Sequence, residues 1–355
     1  MRSFEHDTGR TRIVFGQWTV NRVSEELVRL GGHHALVLCT PGRAALAGQI
    51  ESLIGPSAAG VFAGAVEHTP VEVTERAIAR MRNLDADSIV SVGGGSTTGL
   101  GKAVVFRSRV PHLVLPTTYA GSEVTPVLGE TVDGEKVTRR ATDLVPQAVI
   151  YDVELTRTLS WPITLTSAAN ATAHAVEALY GIDRNPESDR TAVEAIRVLA
   201  SGLKELRSDF EKIDARAELL YGAWLAGTCL AKVGMGLHHK LCHTLGGSFG
   251  LPHAPTHTVL LPYAMEYNAT FAPEAMAKTA AALGVPDAPS GMQSLIRSLG
   301  GPTSLAELGF RAQQIPEAAE LATKRPYPNP RSVSLEGIIE LLGRATAGSP
   351  IEPAR

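Results

Sequence analysis

The chain has 355 residues, more than one ordinary core accommodates, so two domains with a cleft between them are expected. Its hydrophobic fraction of 44%, charged fraction of 19% and net charge of −3 are those of a globular protein that folds throughout, and no run of Lys and Arg interleaved with aromatics marks a nucleic-acid surface. The N-terminus MRSFEHDTGRTRIVFG lacks the apolar core of a signal peptide, and the longest uncharged helical stretch, 219–231, is shorter than the ~20 residues of a membrane span and reads as a buried helix.

In chain order, short β-branched runs alternate with helical patterns through the first 150 residues. HALVLC (34–39), GVFAGAV (60–66) and SIVSVGGG (88–95) are separated by TPGRAALAGQIESLI and PVEVTERAIARMRNL, and PHLVLPTT (111–118) and QAVIYD (147–152) follow. That alternation predicts a parallel sheet with helices on its faces, ending near Asp152. VDGEK (132–136) has the Asp-Gly chemistry of a hairpin turn. From Glu154 the strand signal disappears and long amphipathic segments follow one another, which predicts an all-helical second domain: 1–153 α/β, 154–355 helical. Gly181, Gly234 and Gly246 fall where helices are expected to stop, and Pro162, Pro252 and Pro262 near boundaries. The three cysteines, Cys39, Cys229 and Cys242, form no CxxC pair or even-numbered framework, which fits a reducing cytoplasm, and each suits a small buried hydrophobe.

Gly93, Gly94, Gly95 and Ser96 stand directly after a hydrophobic strand and open a helix. A turn without side chains lets backbone N–H groups approach a pyrophosphate, and the helix start adds positive potential, although a tight turn with close helix–sheet packing requires the same residues. The segment comes after the fourth strand–helix element, unlike the fingerprint at the first strand of an ordinary Rossmann dehydrogenase. PTTYAGSEVTP (116–126) offers the hydroxyls of Thr117, Thr118 and Ser122 after the next strand, at the same sheet edge. Two neighbouring polar loops favour a nucleotide cradle over two unrelated turns.

Four of the eleven histidines, His238, His239, His243 and His253, lie within sixteen residues. His239 and His243 are four apart and share a helix face, Asn170 and His174 repeat that spacing in an earlier helix, and His253 is expected from the loop after Gly250-Leu251-Pro252. A tripod of His174, His239 and His253 has the donors of a zinc or iron(II) site, but its fourth position is Asn170, whose neutral amide supplies no charge to hold a divalent cation.

The run GGGS…K, then PTT..GSEVT, then N-x-x-x-H, and finally H-x-x-x-H-x-L-G-G-x-F-x-x-P-H resembles the iron-containing alcohol dehydrogenases over nearly the whole chain. The resemblance implies an N-terminal nucleotide-binding α/β domain, a C-terminal helical domain and a dehydroquinate synthase-like architecture. It also implies a homodimer. In the metal-dependent members an aspartate and three histidines hold the ion, and these positions fall here on Asn170, His174, His239 and His253. His243 matches a histidine close to the nicotinamide.

GGGSTTGLGKA and PTTYAGSEVTP are similar to the versions found in the maleylacetate reductases of that family, which work without metal. The acidic residue that favours NADH in many relatives is Thr40 here, so either NADH or NADPH is expected as cofactor, with Arg43 either near the 2′-phosphate or a solvated charge at a helix start. The reaction so implied is NAD(P)H-dependent reduction of the C=C bond of 2-maleylacetate to 3-oxoadipate, in the breakdown of aromatic compounds. His243 and His253 are expected to act on the enolate, with His243 or a water it holds returning the proton. Asn170, His174, His239 and, from the loop KRPYPNPR (324–331), Tyr327 and Asn329 are expected to meet the dicarboxylate substrate, although that loop also suits an ordinary connection. Two alternatives remain open at this point: a metal-dependent alcohol or polyol dehydrogenase of the same family, and a non-redox dehydroquinate synthase-like or binding protein.

Overall fold

The computed structural model describes residues 1–7, 10–133 and 135–353, which form two compact units, Met1–Leu159 and Ser160–Arg355.

The first unit runs β1 Phe4–Asp7, β2 Arg12–Gly16, α1 Val23–Arg29, β3 Ala35–Leu38, α2 Ala44–Ile54, β4 Ala58–Phe62, α3 Val71–Asn83, β5 Ser88–Gly93, α4 Gly95–Ser108, β6 His112–Pro116, β7 Val127–Val132, β8 Glu135–Arg140 and β9 Ala148–Asp152. Seven strands form one sheet in the order β1-β2-β9-β6-β5-β3-β4, parallel throughout except for β1 on β2. The central strands are buried on both faces, so Ala35–Leu38 and Leu113–Leu115 read as continuous apolar runs rather than alternating ones. One face packs Leu27, Ala47, Ile50 and Ile54 of α1 and α2, and the other Val73, Ala77, Leu100 and Val104 of α3 and α4.

From β3 the chain steps outward to β4 and then returns to the opposite side of β3 as β5. The order of the strands therefore reverses between β3 and β5, and the carboxyl ends of that pair are where open α/β sheets bind ligands. The segments after β3 and β5 contain Thr40 and Gly94 respectively. Strands β7 and β8 pair separately with Val132 opposite Glu135, and Asp133 has φ 52°; Gly134, the second residue of the expected Asp-Gly turn, lies outside the described residues.

The second unit is helical: α5 Trp161–Ala178, α6 Pro186–Ser208, α7 Ile213–Lys232, α8 Leu237–Phe249, α9 His253–Asn268, α10 Pro273–Leu283, α11 Ala288–Ser298, α12 Ile315–Thr323 and α13 Leu335–Ala347. Asn185 starts α6 with a reciprocal capping box to Ser188, and Pro162 and Pro186 occupy first-turn positions that need no N–H acceptor. Helix α5 is buried on nearly every side, which its run of Ala, Ser and Thr permits by letting neighbours approach closely. The 219–231 stretch lies in α7 with Leu219, Leu220, Ala223, Ala226 and Cys229 buried, and no helix is long and apolar enough to cross a membrane among the described residues.

Two expected stops are not stops. Gly246 lies inside α8, which ends at Gly250 in the left-handed conformation (φ 70°), and Pro262 lies inside α9. Both are buried, and the packing of α8 and α9 on each other outweighs the local cost of an interior Gly or Pro.

Candidate functional site

In the first unit β5 ends at Gly93 and α4 begins at Gly95, with Gly94 as its cap. A Cβ on Gly94 would come 2.7 Å from Thr118 Oγ1, so glycine is needed for the two loops to touch. Thr117 N–H donates to Gly93 O at 2.9 Å, tying the second polar loop to the first. Gly95 is exposed and Ser96 half-buried, so the start of this 14-residue helix is open to an anion. Ser122 Oγ is buried without a partner, as an atom waiting for a ligand would be. Thr40 follows β3 and its carbonyl accepts the N–H of Arg43 at 2.9 Å, while Arg43 Nη1 donates to Thr158 Oγ1 at 2.8 Å. Glycine turn, unpartnered hydroxyl and topological switch together fit a nucleotide's phosphates.

In the second unit α5, α8 and α9 bring the histidines together. His174 and His239 have ring centroids 4.9 Å apart, His239 and His243 6.2 Å, and His243 and His253 6.4 Å. Asn170 lies one turn before His174 on α5, with its Oδ1 buried and unpartnered, as are His174 Nδ1 and His239 Nε2. His253 is the first residue of α9 rather than a loop residue, because Pro252 caps that helix. His243 and His253 are half-buried, whereas Asn170, His174 and His239 are each 6% exposed or less. Burial pushes the His174 imidazole well below its ordinary pKa, and its histidine neighbours add to this.

Two residues belong to this cluster that sequence reasoning missed. His257, wholly buried with both ring nitrogens unpartnered, sits 4.3 Å from His253, 4.9 Å from His238 and 5.0 Å from His239 by ring centroid. It is four residues after His253, so the spacing rule that links His239 to His243 would have found it. Glu177, one turn beyond His174, accepts from His239 Nδ1 at 2.6 Å and from the backbone N–H of His238 at 2.9 Å.

The late loop packs at the start of α8. Tyr327 is half-buried with its hydroxyl unpartnered. Asn329 is engaged within the protein. Its Nδ2 donates to Asn268 Oδ1 at 2.7 Å and Arg331 O at 2.7 Å, and its Oδ1 accepts from Asn268 Nδ2 and the Leu237 N–H. With both N–H groups used, the amide ties the loop to the end of α9 and the start of α8.

A divalent ion in this cluster would meet mostly imidazoles. Among the described residues, His/Cys/Asp/Glu threesomes with donor atoms all within 4.8 Å are His238–Cys242–His257 and Glu177–His238–His239, and His174–His239–His253 is not one of them. In the first, His238 Nε2 already meets His257 O at 2.9 Å; in the second, Glu177 is taken up by N–H groups. Beside the tripod stand His257, with both ring nitrogens unpartnered, and Asn170, a neutral amide.

The family profile described as iron-containing alcohol dehydrogenase matches residues 10–153, and that of the Fe-containing alcohol dehydrogenase C-terminal region matches 164–346. This chain belongs to the iron-containing alcohol dehydrogenase family. Within that family it is similar to maleylacetate reductase 1 of Rhodococcus opacus, 52% identical over 95% of each chain. It also resembles the crystal structure of maleylacetate reductase from Rhizobium sp. strain MTP-10005, with TM-score 0.92 and 50% identity, covering 99% of this chain and 100% of the other. The structure of a 1,3-propanediol oxidoreductase superposes with TM-score 0.89 at 26% identity, over 97% and 99% of the two chains. As an iron-containing alcohol dehydrogenase family member, the chain is an oxidoreductase with an N-terminal α/β sheet domain and a helical C-terminal domain.

Proposed function

We propose that this chain is a maleylacetate reductase that uses NADH or NADPH and holds no resident metal, with residues 1–153 serving the cofactor and 154–355 the substrate. The observation that supports the reading is Asn170, at the position to which the family resemblance assigns a carboxylate ligand, beside a cluster of imidazoles in a chain 52% identical to a maleylacetate reductase. Three buried free cysteines suit a reducing cytoplasm, and a homodimer is the family expectation.

When bound, the reduced nicotinamide supplies a hydride to the alkene carbon β to the ketone. The residues of the chain handle the charge and the proton. As the C=C π electrons move towards the ketone, its oxygen becomes an enolate oxygen and needs N–H donors within hydrogen-bond reach. His243 and His253 suit this task, because they are half-buried imidazoles 6.4 Å apart. A proton from His243, or from a water it holds, then reaches the α-carbon, giving the saturated ketone and leaving the imidazole to be reprotonated from solvent. Tyr327 O–H, His174 with its hydrogen on Nδ1, the amide N–H groups of Asn170 and, when it carries a second proton, His239 Nε2 are the donors offered to the carboxylates, and none of them adds the negative charge that would repel a dianion. Without an acidic residue at Thr40 the ribose 2′-phosphate is not repelled, so both cofactors are accepted.

The test is loss of absorbance at the reduced-nicotinamide band with maleylacetate, with and without a strong chelator. Equal rates are expected. No consumption of NADH or NADPH rejects the reductase, and a rate abolished by the chelator and restored by zinc or iron rejects its metal-free form.

A further inference from the structure

Lys102 is 1% exposed, and burial pulls its amine down to about 7 from 10.5, with the Glu123 carboxylate acting in the opposite sense. It projects from α4, and four oxygens surround its Nζ: Ser122 O at 2.6 Å, Thr125 O at 2.6 Å, Thr125 Oγ1 at 2.9 Å and Val127 O at 3.0 Å. Three come from backbone or side chain of Ser122 and Thr125, the far end of the loop that begins at Thr117. Such a set exceeds what three N–H donors strictly need, and it is the oxygen cage that a monovalent cation would ask for. The neighbouring Glu123 is buried too, and Tyr151 donates to its Oε1 at 2.7 Å. A buried cation is expensive unless fully met, so an apolar side chain here would have sufficed if packing alone were the purpose.

The placement of the cage gives the purpose. Helix α4 begins at the glycine turn, and the loop held by Lys102 carries Thr117, Thr118 and Ser122 against that turn, with Thr118 at the Gly94 contact. We infer that Lys102 is a positioning residue for the cofactor: its ammonium locks the 117–125 loop onto α4 so that the hydroxyls of Thr118 and Ser122 are ordered before a nucleotide arrives. Itself enclosed, it never touches the nucleotide. Removing it makes the loop lose order that binding must then restore, which weakens affinity without altering the chemical step. The inference rests on the proposed use of a nicotinamide cofactor.

Titration of the chain with NADH, followed by nicotinamide fluorescence in the absence of substrate, tests this. Lys102→Ala is expected to raise the Kd roughly tenfold, while kcat at saturating NADH stays within about twofold. n-Propylammonium, which restores the missing three carbons and ammonium, is expected to return the Kd to within about threefold of the unaltered chain, and tetramethylammonium, which has no N–H donor, is not. If Lys102→Ala does not fold, Thr125→Val decides, since it removes only the hydroxyl of the cage and is expected to raise the Kd about threefold. A folded variant with lowered thermal stability but unchanged Kd overturns the inference alone, leaving Lys102 purely structural. An unaltered chain that does not bind NADH or NADPH overturns the functional reading and this inference with it.

Discussion

Oε2 of Glu177 lies 2.6 Å from Nδ1 of His239, and the same carboxylate accepts the backbone N–H groups of Gly236, His238 and His239 at the start of α8. Burial alone would raise the Glu177 pKa, but the His239 bond and the N–H groups outweigh it and hold the carboxyl below its ordinary value. The ionised carboxylate is acceptor-only, so Nδ1 of His239 must carry the hydrogen and Nε2 is the atom presented to a ligand. One side chain from α5 thereby caps α8 and sets the tautomer of an imidazole on it.

Glu177→Ala is accordingly expected to leave several buried donors unmet and to destabilise the helical unit by about 2–4 kcal/mol, whereas Glu177→Gln, which keeps the shape, loses less. Chemical denaturation followed by circular dichroism gives the order. Equal stability of the Ala variant and the unaltered chain would mean that the cap is not holding α8.

His243 is half-buried, with its ring 6.4 Å from that of His253. His243→Ala is expected to lower kcat about 100-fold, the smaller end of the range for losing a general acid, with the NADH Kd changed less than about threefold. Steady-state kinetics alongside cofactor titration separates the two quantities. Comparable turnover in the variant would remove His243 from the mechanism.

The alternating sheet elements from Ala35 onward are legible because each apolar run is bounded by a helix of different period. β1 and β2 are not, since RIVFG is a single short run whose place in the sheet is fixed by pairing with β9, as with Ile13 on Val149. Gly246 and Pro262 read as breaks because sequence weighs local propensity, and the burial that overrides it is tertiary. The crowding of His238, His239, His243 and His253 makes the site visible, but Glu177 meets partners about 60 residues away and no spacing within its own helix points to them. Lys102 is similar: a lysine in the middle of a glycine-rich helix reads as a surface charge, and only the fold of the 117–127 segment encloses it. The bonds of the Asn329 amide to Asn268 and Arg331 are likewise invisible in the sequence, since Asn268 lies 61 residues away.

His112 gives a pH prediction. It is wholly buried beneath α4, its Nε2 2.8 Å from Ser91 Oγ, and burial, with the Lys102 charge adding to it, holds its pKa at about 3 against 6.5 for the free residue. Its folded-state pKa lies below the unfolded one, so as pH falls from 6.5 towards 3 the unfolded chain takes up a proton that the folded chain refuses, and stability declines across that window. The slope from this one group approaches about 1.4 kcal/mol per pH unit. His112→Asn lowers stability at neutral pH through lost packing, but its stability is expected to fall less steeply between pH 6 and 4. Parallel slopes from urea unfolding at a series of pH values would count against a neutral buried imidazole.

Asn170→Asp tests the charge of the candidate site with a single-atom change. The Asn170 oxygen is buried without a partner on the same helix face as His174, so an aspartate there would either ionise or be held protonated. Ionised, it repels a substrate that carries two carboxylates; at an effective dielectric near 20 two unit charges ~8 Å apart still interact by about 2 kcal/mol, enough for more than a tenfold fall in kcat/KM. It also supplies an anionic donor beside the tripod, where Glu177 is taken up by N–H groups, so zinc is expected to bind the variant more tightly than it binds the unaltered chain, measurable by calorimetry. The two effects have one cause and should appear together, and adding zinc should relieve the repulsion by neutralising the aspartate. A variant with full activity and no gain in zinc affinity would show that charge at this position does not govern the site.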